Sequence, residues 1–248
     1  MSGHSKWSTI KRQKGIADNK RGQLFTKLAR EITVAARSGV ADLDANFRLR
    51  IAVEKARKDN MPKDNIDRAI ERAKATAGGD NYDEIAYEGF GPGGIAFIIQ
   101  AMTDNRNRTV GEVRAAMTRG GGNLGADGSV SWMFDSVGLI VVNSGKYDED
   151  ELAMMAIDAG ATEFEYDDET MIVYTEPQDL HKVQEQLIAA GLEVDSAELS
   201  MKPKDPIVPE TDLAIKVIRL VEKLEDLEDV QLVFTNLEIS DDVLAQVS

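Results

Sequence analysis

No cysteine occurs in the 248 residues. Disulfide staples, thiolate metal sites and thiol nucleophiles are therefore excluded, and the chain suits a reducing compartment. Histidine is almost as scarce, with His4 and His181 the two in the sequence. They supply neither a pair for metal ligation nor a nucleophile–His–Asp order, so no catalytic residue, metal or cofactor is expected and the chain reads as a non-enzyme. No apolar run reaches the length that spans a bilayer, and no apolar h-region follows the charged first residues. The expected place is the cytoplasm, with no membrane partner. A G-x-x-x-x-G-K-[ST] run is also missing, which removes the usual phosphate-loop NTPases.

Charge is abundant, and it is unevenly distributed. Hydrophobic residues make up 42% and charged residues 29% of the chain, a globular balance. The formal net charge is -15, which by itself argues against a polyanionic partner. Residues 1–75, however, hold 18 Lys and Arg against 9 Asp and Glu, whereas the remainder holds 11 against 35. A basic end on an acidic body is the pattern of a nucleic-acid-facing arm, and equally of a basic segment that pairs with its own acidic body.

Periodicity sets the organisation. Residues 1–22 read as a loose basic arm. Leu24, Leu28, Ile32 and Ala35 recur at spacings of three and four and predict a helix from Asp18 to near Gly39. Asp44 is a candidate cap for a second helix containing Phe47, Ile51 and Ala56, and Pro62 suits the first position of a third helix containing Ile66, Ala69, Ile70 and Ala73. Beyond a linker at Ala77-Gly78-Gly79-Asp80 the texture alternates between strands and helices. Strands are predicted at 82–88, 95–102 and 129–134, around one helix at 109–119. A full β-α-β-β-α-β series follows at 139–143, 149–159, 163–166, 171–175, 180–190 and 193–201 and can close a ferredoxin-like domain on its own. A later helix with Leu213, Val217, Leu220 and Leu224, and a strand at 230–234, complete the earlier set. The expected class is α+β and multidomain. An N-terminal three-helix domain (1–78) precedes two α/β domains, and the ferredoxin-like one (136–205) is inserted into the other (79–135 and 206–248).

Two glycine runs match G-x-G-x-x-G by spacing, Gly89-Phe90-Gly91-Pro92-Gly93-Gly94 and Gly120-Gly121-Gly122-Asn123-Leu124-Gly125. A strand follows the first and a helix precedes the second, so neither has the strand-before, helix-after context of a dinucleotide site. They read as a hairpin connection and a helix cap leading into a loop. Asp148-Glu149-Asp150-Glu151 reads as an acidic first helical turn and Asp167-Asp168-Glu169 as a hairpin turn, in preference to metal sites. The basic arm carries more information. Lys6, Lys11, Arg12, Lys14, Lys20 and Arg21 crowd around Trp7, and Lys27 and Arg30 continue the charge onto the first helix. Such cations displace counterions from phosphates, and an indole can stack on an exposed base for roughly 1–3 kcal/mol. Packing of Trp7 on its own domain is the alternative. Arg106 and Arg108, in Asp104-Asn105-Arg106-Asn107-Arg108-Thr109 at a helix start, form a second candidate contact. There Asp104 could instead pair with Arg106, and Asn107 or Thr109 could serve as the cap.

Gly3-His4-Ser5-Lys6-Trp7, Lys20-Arg21-Gly22, Phe25-Thr26-Lys27, Glu88-Gly89-Phe90-Gly91-Pro92-Gly93-Gly94, Asp104-Asn105-Arg106-Asn107-Arg108-Thr109 and Gly121-Gly122-Asn123-Leu124-Gly125 together resemble the signatures of the YebC/PmpR family. The likeness runs the length of the chain. It implies a helical N-terminal domain with two α/β domains, and a regulator of gene expression. Some members are described as DNA-binding transcriptional regulators. Others resemble translation factors: the mitochondrial relative is a translational activator of a cytochrome oxidase subunit, and bacterial members are linked to ribosomes stalled on proline runs. Expected partners are thus DNA or ribosomal or transfer RNA, with the ribosome or a basic protein partner for the acidic body as alternatives. The helix after Pro62 alternates signs (Lys63, Asp64, Asp67, Arg68, Glu71, Arg72) and presents no base-reading face, which favours irregular RNA.

Overall fold

The three-and-four spacing of Leu28, Ile32 and Ala35 produces helix α1 (Asp18–Arg37), whose apolar stripe is buried. It packs on α2 (Phe47–Lys58) and α3 (Lys63–Lys74) around Leu49, Val53, Ala56, Ile66 and Ala69. The cap of α2 is Asn46, not Asp44: its Oδ1 accepts the Leu49 N–H at 3.0 Å. Its Nδ2 donates to the carbonyls of Ala35 at 2.8 Å and Val40 at 2.9 Å, which no carboxylate could do. One side chain thereby starts α2 and ties down the end of α1.

The computed structural model describes residues 18–74, 82–145, 147–167, 170–240 and 243, with the side chains of 18–20 and 167 outside that description. Two compact units result, Met1–Phe134 with Pro203–Ser248, and Asp135–Lys202. Among the described residues no helix is long and apolar enough to cross a membrane.

In the first unit, β1 (Asp83–Phe90) and β2 (Ala96–Thr103) form an antiparallel hairpin that α4 (Arg106–Arg119) follows. After the other unit the chain returns as α7 (Thr211–Glu225) and β8 (Val230–Thr235), and β8 pairs with β2. The four-stranded order is β3-β1-β2-β8, with β3 (Asn123–Leu124) at the edge. Phe97, Ile99, Val113, Met117, Val217, Leu220 and Val233 fill the core between sheet and helices. The strand expected at 129–134 does not form there. Ser131–Met133 is one 3₁₀ turn, and β4 begins at Phe134 and runs to Asn143.

In the second unit, β4 continues into α5 (Glu149–Asp158), β5 (Glu163–Asp167), β6 (Thr170–Thr175), α6 (Leu180–Ala189) and β7 (Glu193–Pro203). Its sheet order is β5-β6-β4-β7. This is the ferredoxin-like arrangement, in which each crossover helix skips one strand position. The acidic run at 148–151 is a capping box: the Asp148 side chain accepts the Glu151 N–H at 2.8 Å and the Glu151 side chain reaches back to the Asp148 N–H. In the β5–β6 hairpin, residues 168 and 169 lie outside the described ones.

Candidate nucleic-acid interface

Of the cations read from the sequence, Lys6, Lys11, Arg12 and Lys14, with Trp7, lie outside the described residues. Lys20 falls in the first turn of α1, its side chain also outside the description, and Arg21 beside it is exposed. Lys27 is half-buried and its ammonium donates to the Glu225 carbonyl. Arg30 departs furthest from expectation, with a side chain only 5% exposed. Its Nη1 donates to Asp229 Oδ1 and to the carbonyls of Met102 and Glu228, each at 3.0 Å. Its Nη2 donates to Glu228 Oε1 at 3.1 Å, and its guanidinium lies 4.8 Å from the Tyr82 ring centroid. A guanidinium enclosed in this way ties α1 to the ends of β2 and β8 and presents nothing to a phosphate.

Asp229, 1% exposed, is the centre of that joint. It accepts from Thr109 Oγ1 at 2.6 Å, Thr103 Oγ1 at 3.1 Å and Arg108 Nη2 at 2.7 Å. Burial pushes its pKa up, but the hydrogen bonds from Thr109, Arg108 and Thr103, with the Arg108 charge, outweigh this and hold it below the usual carboxylate value. The start of α4 is thus an anion site whose anion is the protein's own carboxylate. Arg108 also reaches Asp104 at 2.7 Å, one helical turn back, and the hydrogen bonds it donates to Asp229 and Asp104 raise its pKa further. Asp104 therefore pairs with Arg108 and not with Arg106. Arg106, 66% exposed, meets Asp83 at 2.7 Å. The cap is Asn105, whose Oδ1 accepts the Arg108 N–H at 3.1 Å, in place of Asn107 or Thr109.

A second arrangement, not anticipated from the sequence, lies between α1 and α3. A groove of about 210 Å³ has Phe25, Ala29, Met61 and Ala69 along its apolar part and Thr26, Asn65, Arg68 and Arg72 at its polar part. Alanines where the two helices face each other leave this space open. Arg68 donates to the Asp64 carbonyl at 3.0 Å and to Asn65 Oδ1 at 2.9 Å. Among the described residues neither Arg68 nor Arg72 has a carboxylate partner, unlike Arg30, Arg48, Arg106 and Arg108. The four-residue spacing of Arg68 and Arg72 on α3 is visible in the sequence, but the sign alternation around them hides it until α1 is in place.

The glycine runs have a packing purpose. They form the β1–β3 pair, with Gly89 opposite Leu124 and Phe90 opposite Asn123. A Cβ on Gly89 would sit 2.3 Å from the Asn123 carbonyl oxygen, and one on Gly122 would sit 2.6 Å from the Phe90 oxygen. Backbone meets backbone where a phosphate would otherwise have to enter. Glu88 fills the adjacent cluster of N–H groups. Its Oε1 accepts from Gly128 at 2.9 Å, and its Oε2 from Val130 at 2.7 Å and Ser131 at 2.9 Å. Burial raises the Glu88 pKa, but these three N–H groups together with the Ser131 side chain lower it by more. His181 sits in α6 beside Glu185 at 3.2 Å, and among the described residues no group of three or more His, Asp or Glu is placed to hold a metal ion.

The family model described as the TACO1/YebC protein N-terminal domain matches residues 5–76, and that of the TACO1/YebC second and third domain matches residues 82–237. A protein of Roseiflexus castenholzii named "Probable transcriptional regulatory protein" is 54% identical, over 99% of this chain and 98% of its own. One of the same name from Syntrophus aciditrophicus is 46% identical over the whole of both. These names are regulatory and not enzymatic. A crystal structure of a conserved hypothetical protein from Aquifex aeolicus superposes with a TM-score of 0.83 at 44% identity, covering 92% of this chain and 94% of that one. With both family models matched along almost its whole length, the chain belongs to the TACO1/YebC family.

Proposed function

We propose that the protein is a nucleic-acid-binding regulator of gene expression that grips a phosphate backbone through its basic N-terminal domain. The observation that carries this reading is the segregation of charge: 18 Lys and Arg against 9 Asp and Glu in residues 1–75, on a body with 11 against 35. The acidic body repels a polyanion and orients it toward the basic end. Lys6, Lys11, Arg12, Lys14, Lys20 and Arg21 supply the main contact, with Trp7 as a stacking ring, and the exposed Arg106 a secondary one. The regulatory names of the relatives support the same reading, and transcription is the process those names give.

RNA, and with it a role in translation, is the second reading. Lys63, Asp64, Asp67, Arg68, Glu71 and Arg72 alternate along α3, and carboxylates so placed would face duplex phosphates on either side of a major groove. An irregular RNA can approach the cations singly and leave the carboxylates in solvent.

The reading is tested by measuring binding to single-stranded RNA and duplex DNA across a salt series. Replacing Lys11, Arg12 and Lys14 together with glutamine should lower the slope of log affinity against log salt by about 2 for a single strand, at about 0.7 per lost contact. An unchanged slope would remove the arm from the interface and favour an adaptor whose acidic body binds a basic protein.

A further inference from the structure

We propose that the groove between α1 and α3 receives one unstacked nucleobase of a single-stranded RNA, while Arg68 and Arg72 hold the phosphates beside it. This rests on the nucleic-acid reading above and gives it a specific seat. The apolar part of the groove, with Phe25 and Met61 flanking alanines, matches the flat face of a base. Its rim offers both hydrogen-bonding senses. The Thr26 hydroxyl donates to the Gly22 carbonyl at 3.0 Å and keeps lone pairs that can accept. Asn65 accepts from Arg68 through Oδ1, which leaves its amide N–H groups to donate.

Charge selects the occupant. Among the described residues Arg68 and Arg72 have no carboxylate partner; Arg57, Arg114, Arg119 and Arg219 have none either, but only Arg68 and Arg72 stand together on the rim of the groove. Two guanidiniums without anions beside an apolar slot call for a ligand that is anionic outside and flat and apolar inside. A nucleotide in an unpaired strand has that composition, whereas a base within a duplex keeps its faces stacked. The basic arm of the chain itself has the wrong sign to serve.

The test uses the full chain, a short single-stranded RNA carrying 2-aminopurine, and the same RNA annealed to its complement. The unmodified protein should bind the single strand about tenfold more tightly than the duplex and change the 2-aminopurine emission. Thr26→Trp, at an exposed position on α1, fills the groove and leaves every cation in place. It should abolish the strand preference and the emission change with the salt slope intact. Arg68→Gln with Arg72→Gln should leave the melting temperature near that of the parent and lower the slope by about 1.4, at about 0.7 per contact. Retention of the strand preference in a Thr26→Trp protein that melts as the parent does would overturn the proposal. So would an unchanged slope in the double glutamine variant, or displacement of the RNA by a polyglutamate peptide as effectively as by free RNA. Salt-dependent binding of both probes with no preference would remove the groove and leave the general reading standing. Binding of neither probe at low salt would remove both.

Discussion

Replacing Asp229 with alanine is expected to destabilise the protein by about 3–5 kcal/mol, the usual consequence of breaking a buried charge pair from one side. The change leaves Arg30, with 5% side-chain exposure, without its buried counter-charge. It also removes the acceptor of the Thr103 and Thr109 hydroxyls and of Arg108. Because α1 meets the β2 and β8 ends through this joint, the three-helix domain should loosen along with the loss of global stability. Asp229→Asn should recover little, since its amide nitrogen would face the Arg30 or the Arg108 guanidinium whichever way it is placed. The pH dependence has a definite sign. The folded carboxyl lies below its ordinary value of 3.8, so its contribution is complete above that value and disappears as pH falls through the folded pKa. Chemical unfolding of the parent and of Asp229→Ala should therefore give stabilities that converge in strong acid. A gap that persists unchanged into acid would mean that the charge of Asp229 contributes nothing.

Glu88→Gln is expected to cost about 1–3 kcal/mol despite its near-identical shape. Both oxygens of Glu88 accept, one from Gly128 and the other from Val130 and Ser131. A glutamine amide has one acceptor oxygen, and its NH₂ would be turned against an N–H whichever way it is placed. The 3₁₀ turn Ser131–Met133 and the edge strand β3 should be the first parts to lose protection in hydrogen exchange. The folded Glu88 carboxyl also lies below the usual carboxylate value, so this contribution too is present at neutral pH and falls away in acid. Full retention of stability by Glu88→Gln would show that solvent serves these N–H groups equally well.

Where the periodicity is strong, sequence and structure agree. The α1 stripe and the β-α-β-β-α-β series need only local spacing, and both are present. The misreadings arise where the deciding partner is remote. Residues 129–134 have strand composition, but a carboxylate some forty residues earlier collects their N–H groups and turns the backbone. Asp44 and Asn46 are equally competent caps by propensity, and Asn46 prevails because an amide can also donate to Ala35 and Val40. Arg30 and Arg68 are indistinguishable as cations on amphipathic helices. The carboxylate that enclosed Arg30 lies 199 residues further along, at Asp229, and no local pattern carries that pairing. The groove beside Arg68 was hidden for the same reason, since it exists only once α1 and α3 are packed together.

The most direct measurement of the central claim is crosslinking of the protein to nucleic acid in living cells, followed by sequencing of what is recovered. A control with Lys6, Lys11, Arg12, Lys14, Lys20 and Arg21 neutralised runs alongside. The expected result is nucleic acid recovered by the parent and lost in the control, with ribosomal or transfer RNA assigning the protein to translation and discrete promoter DNA assigning it to transcription. Recovery by the parent no greater than by the control would contradict nucleic-acid binding through the basic domain and direct attention to a protein partner for the acidic body.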